Sequence, residues 1–304
     1  MKKLIITGFL FVILGTTVLF KDDLIMFIVK HFDYNKQVVE LTTKNPYFKE
    51  KNYQFVQNTD NFKPRNIQDL LNIYYTVINA GETNFTFYCP DTYEECLTEV
   101  ANIAENQTTL SHINNFVHPF NGFKNIETEF DSLGKVTITI HHTYSKEEIE
   151  SLNNEVSRLE KELYTDDMTD QDKIKAVHDY IINTTRYDSN RSDHNIIEYD
   201  SEKAIGALFQ GVALCGGYTD AMTLFLHNMG IDNYKVASQK HIWNAVDYEG
   251  TWYHLDLTWD DPVTSDGSDI LQYTFFLINT KKLLSIEDTE HNFNQLVYKE
   301  VAQN

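Results

Sequence analysis

The sequence predicts an α+β protein in which a helix opened by a lone cysteine is followed by a hairpin of two strands. Three observations predict it. Met222, Leu224, Phe225, Leu226 and Met229 recur at helical spacing after Cys215 until Gly230 stops the helix. Two alternating runs, one following His241 and one reaching Asp256, flank the turn pair Glu249-Gly250. Ahead of them lies a separate set of helical and alternating segments between about residues 45 and 142. A chain of 304 residues with 42% hydrophobic content has room for two modest domains and a sizeable core.

In chain order, Lys2 and Lys3 precede an uncharged, mostly apolar run from Leu4 to Phe20, and Lys21, Asp22 and Asp23 follow it. The run is at the short end of what spans a bilayer, and its positive flank places the remainder outside. A cleaved signal peptide is the rival. Val18-Leu19-Phe20 offers no small-residue cleavage site, which favours an uncleaved anchor over residues 1–29. The patch Leu24 to Val29 reads as an amphipathic stalk, because a longer membrane helix would bury Asp22 and Asp23 in hydrocarbon. Residues 30–44 continue the stalk.

The 45–142 region reads as a small α+β domain. Asn66 caps a helix carrying Ile67, Leu70, Leu71, Tyr74, Val77 and Ile78, and Gly81 ends it. Thr83 to Tyr88 alternates as a strand, and Asp91 with Glu94 forms a capping box for a helix through Glu105. A short helix over Leu110 to Val117 stops before Pro119, and residues 127–130 and 135–141 form a hairpin. Asn114, Asn115, His118 and Asn121 are assigned to turns and caps. Cys89 and Cys96 lie seven apart. Either they form a disulfide, leaving Cys215 as the odd thiol, or Cys96 is a buried thiol on a helical face with Leu97, Val100, Ile103 and Ala104. Both alternatives stand.

Ser145 with Glu148 caps a connector helix over 143–164, and Thr169 with Asp172 caps the next, which opens the 165–304 region. The polar loop 187–200 holds Asp188, Asp193 and His194 at a spacing that fits no calcium or zinc loop, so no metal and no cofactor is assigned. Ser201 begins a short helix, and Gln210 lies five residues ahead of Cys215, a candidate side-chain donor to an oxyanion. Tyr234 to Ser238 reads as a strand, Asp256 as a strand residue pointing away from Leu255 and Leu257, and Tyr273 to Asn279 as an aromatic strand closing the sheet. The end of the chain from Ser285 reads as a polar tail.

Chemistry concentrates in three stretches: Cys215-Gly216-Gly217-Tyr218, His241-Ile242-Trp243-Asn244, and Trp252-Tyr253-His254-Leu255-Asp256 through Pro262. A thiol at a helix N-terminus beside an imidazole ionises readily, since the helix dipole and the imidazolium both stabilise the thiolate. Gly216 and Gly217 would leave the backbone N–H groups beside the sulfur open to a substrate carbonyl. His241 is the candidate base, and Asp256 the group that orients it. The glutamate–glycine turn would lay these two side by side.

These motifs resemble the transglutaminase-like superfamily, of the bacterial membrane-anchored type, over roughly residues 165–285. The resemblance implies a papain-like fold in which a cysteine-bearing helix packs on an antiparallel sheet. It also implies acyl transfer from a carboxamide or peptide bond through a thioester, with catalytic Cys215, His241 and Asp256. The expected protein is a membrane-anchored, extracellular cysteine acyl transferase or hydrolase acting on peptide or glutamine carboxamide groups. Its partners would be a peptide or protein substrate, cell-wall associated by location, and the membrane. A net charge of −20 argues against nucleic acid. The rival reading is a catalytically inactive module that binds peptide or wall, with the 45–142 region as its recognition unit.

Overall fold

The computed structural model describes residues 41, 44–262, 270–286 and 289–304. The anchor at 1–29 and most of the stalk lie outside them. Among the described residues no helix is long and apolar enough to cross a membrane.

Asn66 accepts a hydrogen bond from the Asp69 N–H and starts α1, Ile67–Asn79. One face of α1, with Leu70, Ile73, Tyr74, Val77 and Ile78, is buried. Gly81 follows with φ +73°, the left-handed region that favours glycine, and a Cβ there would push against the Asn45 side chain. β1, Asn84–Tyr88, pairs antiparallel with β3, Lys135–His142, which also pairs with β2, Phe123–Phe130. The sheet order is β1-β3-β2, and Val136, Ile138 and Ile140 alternate into the core.

The capping box expected at Asp91 and Glu94 does not start a helix. α2 is Cys96–Glu105, and its N-cap Glu95 makes no side-chain cap bond. A disulfide decides the start instead: Cys89 at the end of β1 is bonded to Cys96 with Cα atoms 5.7 Å apart. Cys96 also lies buried beside Val100 and Ile103, so the core-facing half of the rival reading holds as well. Replacing both cysteines with serine should lower the unfolding free energy by about 2–3 kcal/mol, as a short closed loop predicts. Denaturant unfolding with and without the substitutions checks this.

α3, Gln107–Asn115, completes this half. The Asn114–Asn121 cluster does the turn and packing work expected of it. Asn114 Oδ1 accepts from Phe123 N, His118 Nδ1 from Phe120 N, and Asn121 Nδ2 donates to Asn79 O.

Capping boxes at Ser145 and Thr169 start α4, Lys146–Leu163, and α5, Asp170–Thr184, as read. The 187–200 loop is more ordered than its polarity suggested. β4, Arg186–Tyr187, pairs in parallel with β5, Val212–Ala213, and α6 occupies Ser189–His194. The short helix from Ser201 is a turn followed by one π-helical turn at Gly206–Gln210. α7 is Cys215–Asn228, and Tyr218 through Leu226 are all buried, so this is the central helix rather than an amphipathic surface one. β6, Asn233–Ala237, β7, Ile242–Tyr248, and β8, Thr251–Leu255, form an antiparallel sheet in that order. Glu249 and Gly250 turn with φ of 52° and 78°, the pattern of a tight hairpin.

The predicted strand at 273–279 does not form. Its backbone is spent elsewhere: Phe275 N donates to Asp260 Oδ1, Leu277 has φ 48°, and a lone bridge joins Ile278 to His254. Three short helices complete the described elements: α8, Leu257–Asp260, α9, Thr280–Leu283, and α10, Lys299–Ala302.

Alternation along β7 gives its sheet two covered faces. Trp243 and Ala245 join a core that includes Tyr53, Tyr74, Phe116 and Ile138 from the first half of the chain, and Phe293 and Tyr298 from its end. Val246, with Leu255 of β8, joins a second core under α7 with Leu152, Val177, Met222 and Phe225. The sheet is therefore sandwiched between α7 and the 45–142 region, which makes that region a structural layer behind the sheet.

Candidate active site

The start of α7 is fixed by the chain crossing over it. Leu214 N donates to Ser201 O at 2.7 Å, which sets the entry of Cys215 into the helix. A Cβ on Gly217 would lie 2.4 Å from Ser201 O, and one on Gly216 3.1 Å from Glu202 O. The glycine pair therefore exists because the 201–203 backbone lies on the helix. Cys215 is half-buried at the helix N-terminus and is the free cysteine among the described residues.

His241 stands one residue before β7, held by a tight turn in which Ser238 N donates to His241 O and His241 N to Ser238 Oγ. Its Nε2 lies 2.5 Å from Asp256 Oδ2. A second hydrogen bond joins the ring to Cys215, which leaves Nδ1 as the nitrogen facing the sulfur. Burial alone would depress the imidazole pKa. The Asp256 charge and hydrogen bond, and the bond to Cys215, outweigh it and push His241 up to about 10. His241 is therefore an imidazolium at neutral pH.

Asp256 is not a strand residue. β8 ends at Leu255, and Asp256 is the N-cap of α8, its Oδ1 accepting from Thr258 N and Trp259 N at 2.9 and 3.2 Å. Leu255, Asp256 and Leu257 are all buried, because the chain turns into the helix where strand alternation was expected to continue. Burial would raise the Asp256 pKa, but His241 and His291 hold it well below the usual carboxylate range. The three sequence-predicted residues thus meet at one point.

Several residues of the same motifs support the site without touching the sulfur. Trp243 lies parallel to the His241 ring at 5.5 Å, and its indole N–H donates to His254 Nδ1 at 2.9 Å. The other His254 nitrogen bonds Thr280 Oγ1, and burial pushes His254 down to about 3, so it stays neutral. Asn244, given no role above, donates to Thr219 O and Thr223 Oγ1 and clamps β7 to α7. Asp260 bonds His178 of α5, and Tyr218 donates to Asp261 at 2.5 Å, so the paired aspartates after Trp259 are anchors. Gln210 is exposed, and its Oε1 accepts from Asp200 N, a turn contact in place of the oxyanion role considered for it. Asp188 caps α6 through Arg191 N.

His291 was missed entirely. It comes from the segment read as a polar tail, is buried, and brings its Nε2 within 2.9 Å of Asp256 Oδ2. Among the described residues, His241, Asp256 and His291 form the cluster whose ligand-type atoms lie close enough to suggest a metal. The two contacts to Asp256, 2.5 and 2.9 Å, are N–H···O lengths. They are shorter than the about 3.3 Å between ligand atoms on a zinc tetrahedron with bonds near 2.0–2.1 Å. Each contact holds a proton rather than an ion.

A cleft of about 480 Å³ opens onto His241, lined also by Tyr187, Ser192, Trp259, Asp261 and Glu290. Tyr187 is held beside the site by the pairing of β4 with β5, two residues before Cys215. Burial raises its pKa, and the neighbouring Cys215 adds to that, so its phenol keeps its proton.

Residues 157–257 match the transglutaminase-like superfamily. Among solved structures, a TGase crystal structure is 16% identical with a TM-score of 0.34, and the match covers 45% of this chain and 44% of that one. The 1.9 Å structure of a putative cysteine protease from Cytophaga hutchinsonii is 13% identical with a TM-score of 0.28, covering 48% of this chain and 65% of that one. The chain thus spans less than two thirds of each. Comparison with curated proteins gives no match.

Proposed function

We propose, from the match of residues 157–257 to the transglutaminase-like superfamily, that the protein is a cysteine acyl transferase or hydrolase acting on peptide bonds or glutamine carboxamides. The observation that carries this reading is the contact of Cys215 with His241, and of His241 with Asp256, at the edge of an open cleft.

The Cys215 thiolate attacks the carbonyl carbon, an S–C bond forms, and the carbonyl π pair moves to oxygen. The sulfur stands at the positive end of the α7 dipole, which favours the developing negative charge. His241, already protonated, gives its Nδ1 proton to the leaving nitrogen as the C–N bond breaks, leaving a thioester and ammonia or an amine. Water or an amine then attacks the thioester, His241 takes its proton, and the S–C bond breaks. Water gives hydrolysis and an amine gives cross-linking. Asp256 keeps the imidazole in the tautomer that presents Nδ1 to the sulfur.

For location, the Lys-flanked apolar run at residues 4–20 anchors the chain with the catalytic part outside. The Cys89–Cys96 disulfide supports an oxidising compartment. Peptide or protein at the cell wall is the substrate class reachable from there.

The test is mass spectrometry of the protein incubated with glutamine peptides. A thioester adduct mapping to Cys215, absent from Cys215→Ala, is expected. The thiol should also react with iodoacetamide at pH 6 faster in the native protein than in urea. Cys89 and Cys96 cannot serve as the comparison, because they are bonded to each other. Equal rates in both states and no adduct would leave a peptide-binding module as the better description.

A further inference from the structure

His291 lies 34 residues beyond the end of the family match (291 − 257), in a segment with no helical or strand period. Yet its ring is among the most closely enclosed near the site. It stacks on Phe275 at 4.7 Å and 16°, meets Trp243 and Trp259 edge-on at 4.9 Å each, and meets His241 at 5.3 Å. This aromatic box aims Nε2 at Asp256 Oδ2, the same oxygen that holds His241.

The carboxylate therefore has four partners. Oδ1 is pinned by two backbone N–H groups and Oδ2 by two imidazoles. With His241 alone on Oδ2, that oxygen would follow the ring as it rocks during proton transfer. A second donor, fixed by its own packing, makes the oxygen a reference point for His241.

We propose that His291 is a positioning residue of the active site, fixing through its Nε2–H the Asp256 carboxylate that orients His241 against Cys215. The C-terminal segment is then part of the catalytic apparatus. This rests on the reading of Cys215 as nucleophile.

Two substitutions separate positioning from packing. His291→Gln keeps an N–H donor near the Nε2 position and loses the ring; His291→Phe keeps the ring stack and loses the donor. The probe is iodoacetamide at pH 7, read as the second-order rate of Cys215 alkylation. Proton NMR of histidine-labelled protein reads the His241–Asp256 hydrogen-bonded proton alongside. A 1 Å misplacement of a reacting group costs on the order of 10²-fold, and loss of one of four partners, a smaller disturbance, should cost roughly tenfold. His291→Phe should slow alkylation by about that factor and shift or broaden the proton signal, while His291→Gln stays within about twofold of the parent. Thermal unfolding of each variant identifies any that do not fold, and the folded one decides. His291→Phe at the parental rate, or His291→Gln as slow as His291→Phe is expected to be, overturns the inference. An unactivated thiol in the parent protein instead removes the nucleophile reading, and the inference with it.

Discussion

Asp256→Asn is expected to reduce the rate of acyl transfer by about 10³–10⁴-fold, the loss seen when the third member of such a triad turns from acceptor to donor. The structure makes the cause specific. All four partners of this carboxylate are donors: Thr258 N, Trp259 N, His241 Nε2 and His291 Nε2. An asparagine must direct its NH₂ at one pair or the other. Facing the imidazoles, it forces His241 to carry its proton on Nδ1, so the neutral ring meets the sulfur as a donor with no capacity to take a proton. Facing the backbone, it opposes the two N–H groups that start α8. Neither amide orientation satisfies the site, and the buried mismatch should also cost about 1–3 kcal/mol of stability. Single-turnover kinetics together with urea unfolding measure both losses. A variant within tenfold of the parent would show that Asp256 does not orient His241.

His241→Gln should destabilise the protein most at mildly acidic pH, and the gap to the parent should close as pH rises. His241 has its folded pKa raised from an ordinary 6.5 to about 10 by Asp256 and Cys215, against the effect of burial. A raised pKa means that the folded state holds the proton more tightly. The stabilisation is fully present below pH 6.5 and is lost as pH climbs toward 10. Asp256 works in the opposite sense. Its pKa is depressed in the fold, so its contribution is present above the ordinary carboxylate range, near 3.8, and is lost as pH falls below that. The two windows overlap between about pH 4 and 6.5. There, breaking this buried pair should cost about 3 kcal/mol, and the cost should shrink markedly by pH 10. Denaturant unfolding of the two proteins at pH 5, 8 and 10 tests it. Comparing variant with parent cancels the other buried groups that titrate, such as His118 and His227, whose pKa values burial lowers. A gap that does not change with pH would mean that the pair is not an ion pair.

The sequence was most legible where a local rule acts. Asn66, Ser145 and Thr169 start helices because each side chain accepts a backbone N–H three residues on, a contact that needs no distant partner. Glu249-Gly250 makes its turn because both residues adopt positive φ. Cys215 opens α7 because helical spacing begins behind it. From these alone the cysteine, histidine and aspartate fall on neighbouring elements. Local rules failed where a distant group took over the backbone. A disulfide, in place of the Asp91 box, sets the start of α2. The expected strand at 273–279 gives its N–H to Asp260, and Asp256 leaves strand geometry to cap α8. The glycines after Cys215 answer to the chain lying across them.

What the sequence by itself determined is most of the helices, the hairpin and the three candidate side chains, since periodicity, caps and turns are short-range physics. Only the tertiary structure decided what surrounds them: the 45–142 layer behind the sheet, the Trp243–His254 support, and His291 on the Asp256 carboxylate. Those contacts join residues from 11 to 181 positions apart, as His254 to Trp243 and Tyr53 to Tyr234 show on the small and large sides. Pairings of that kind are selected by shape and by the cost of leaving buried charges and N–H groups without partners, which no local pattern records.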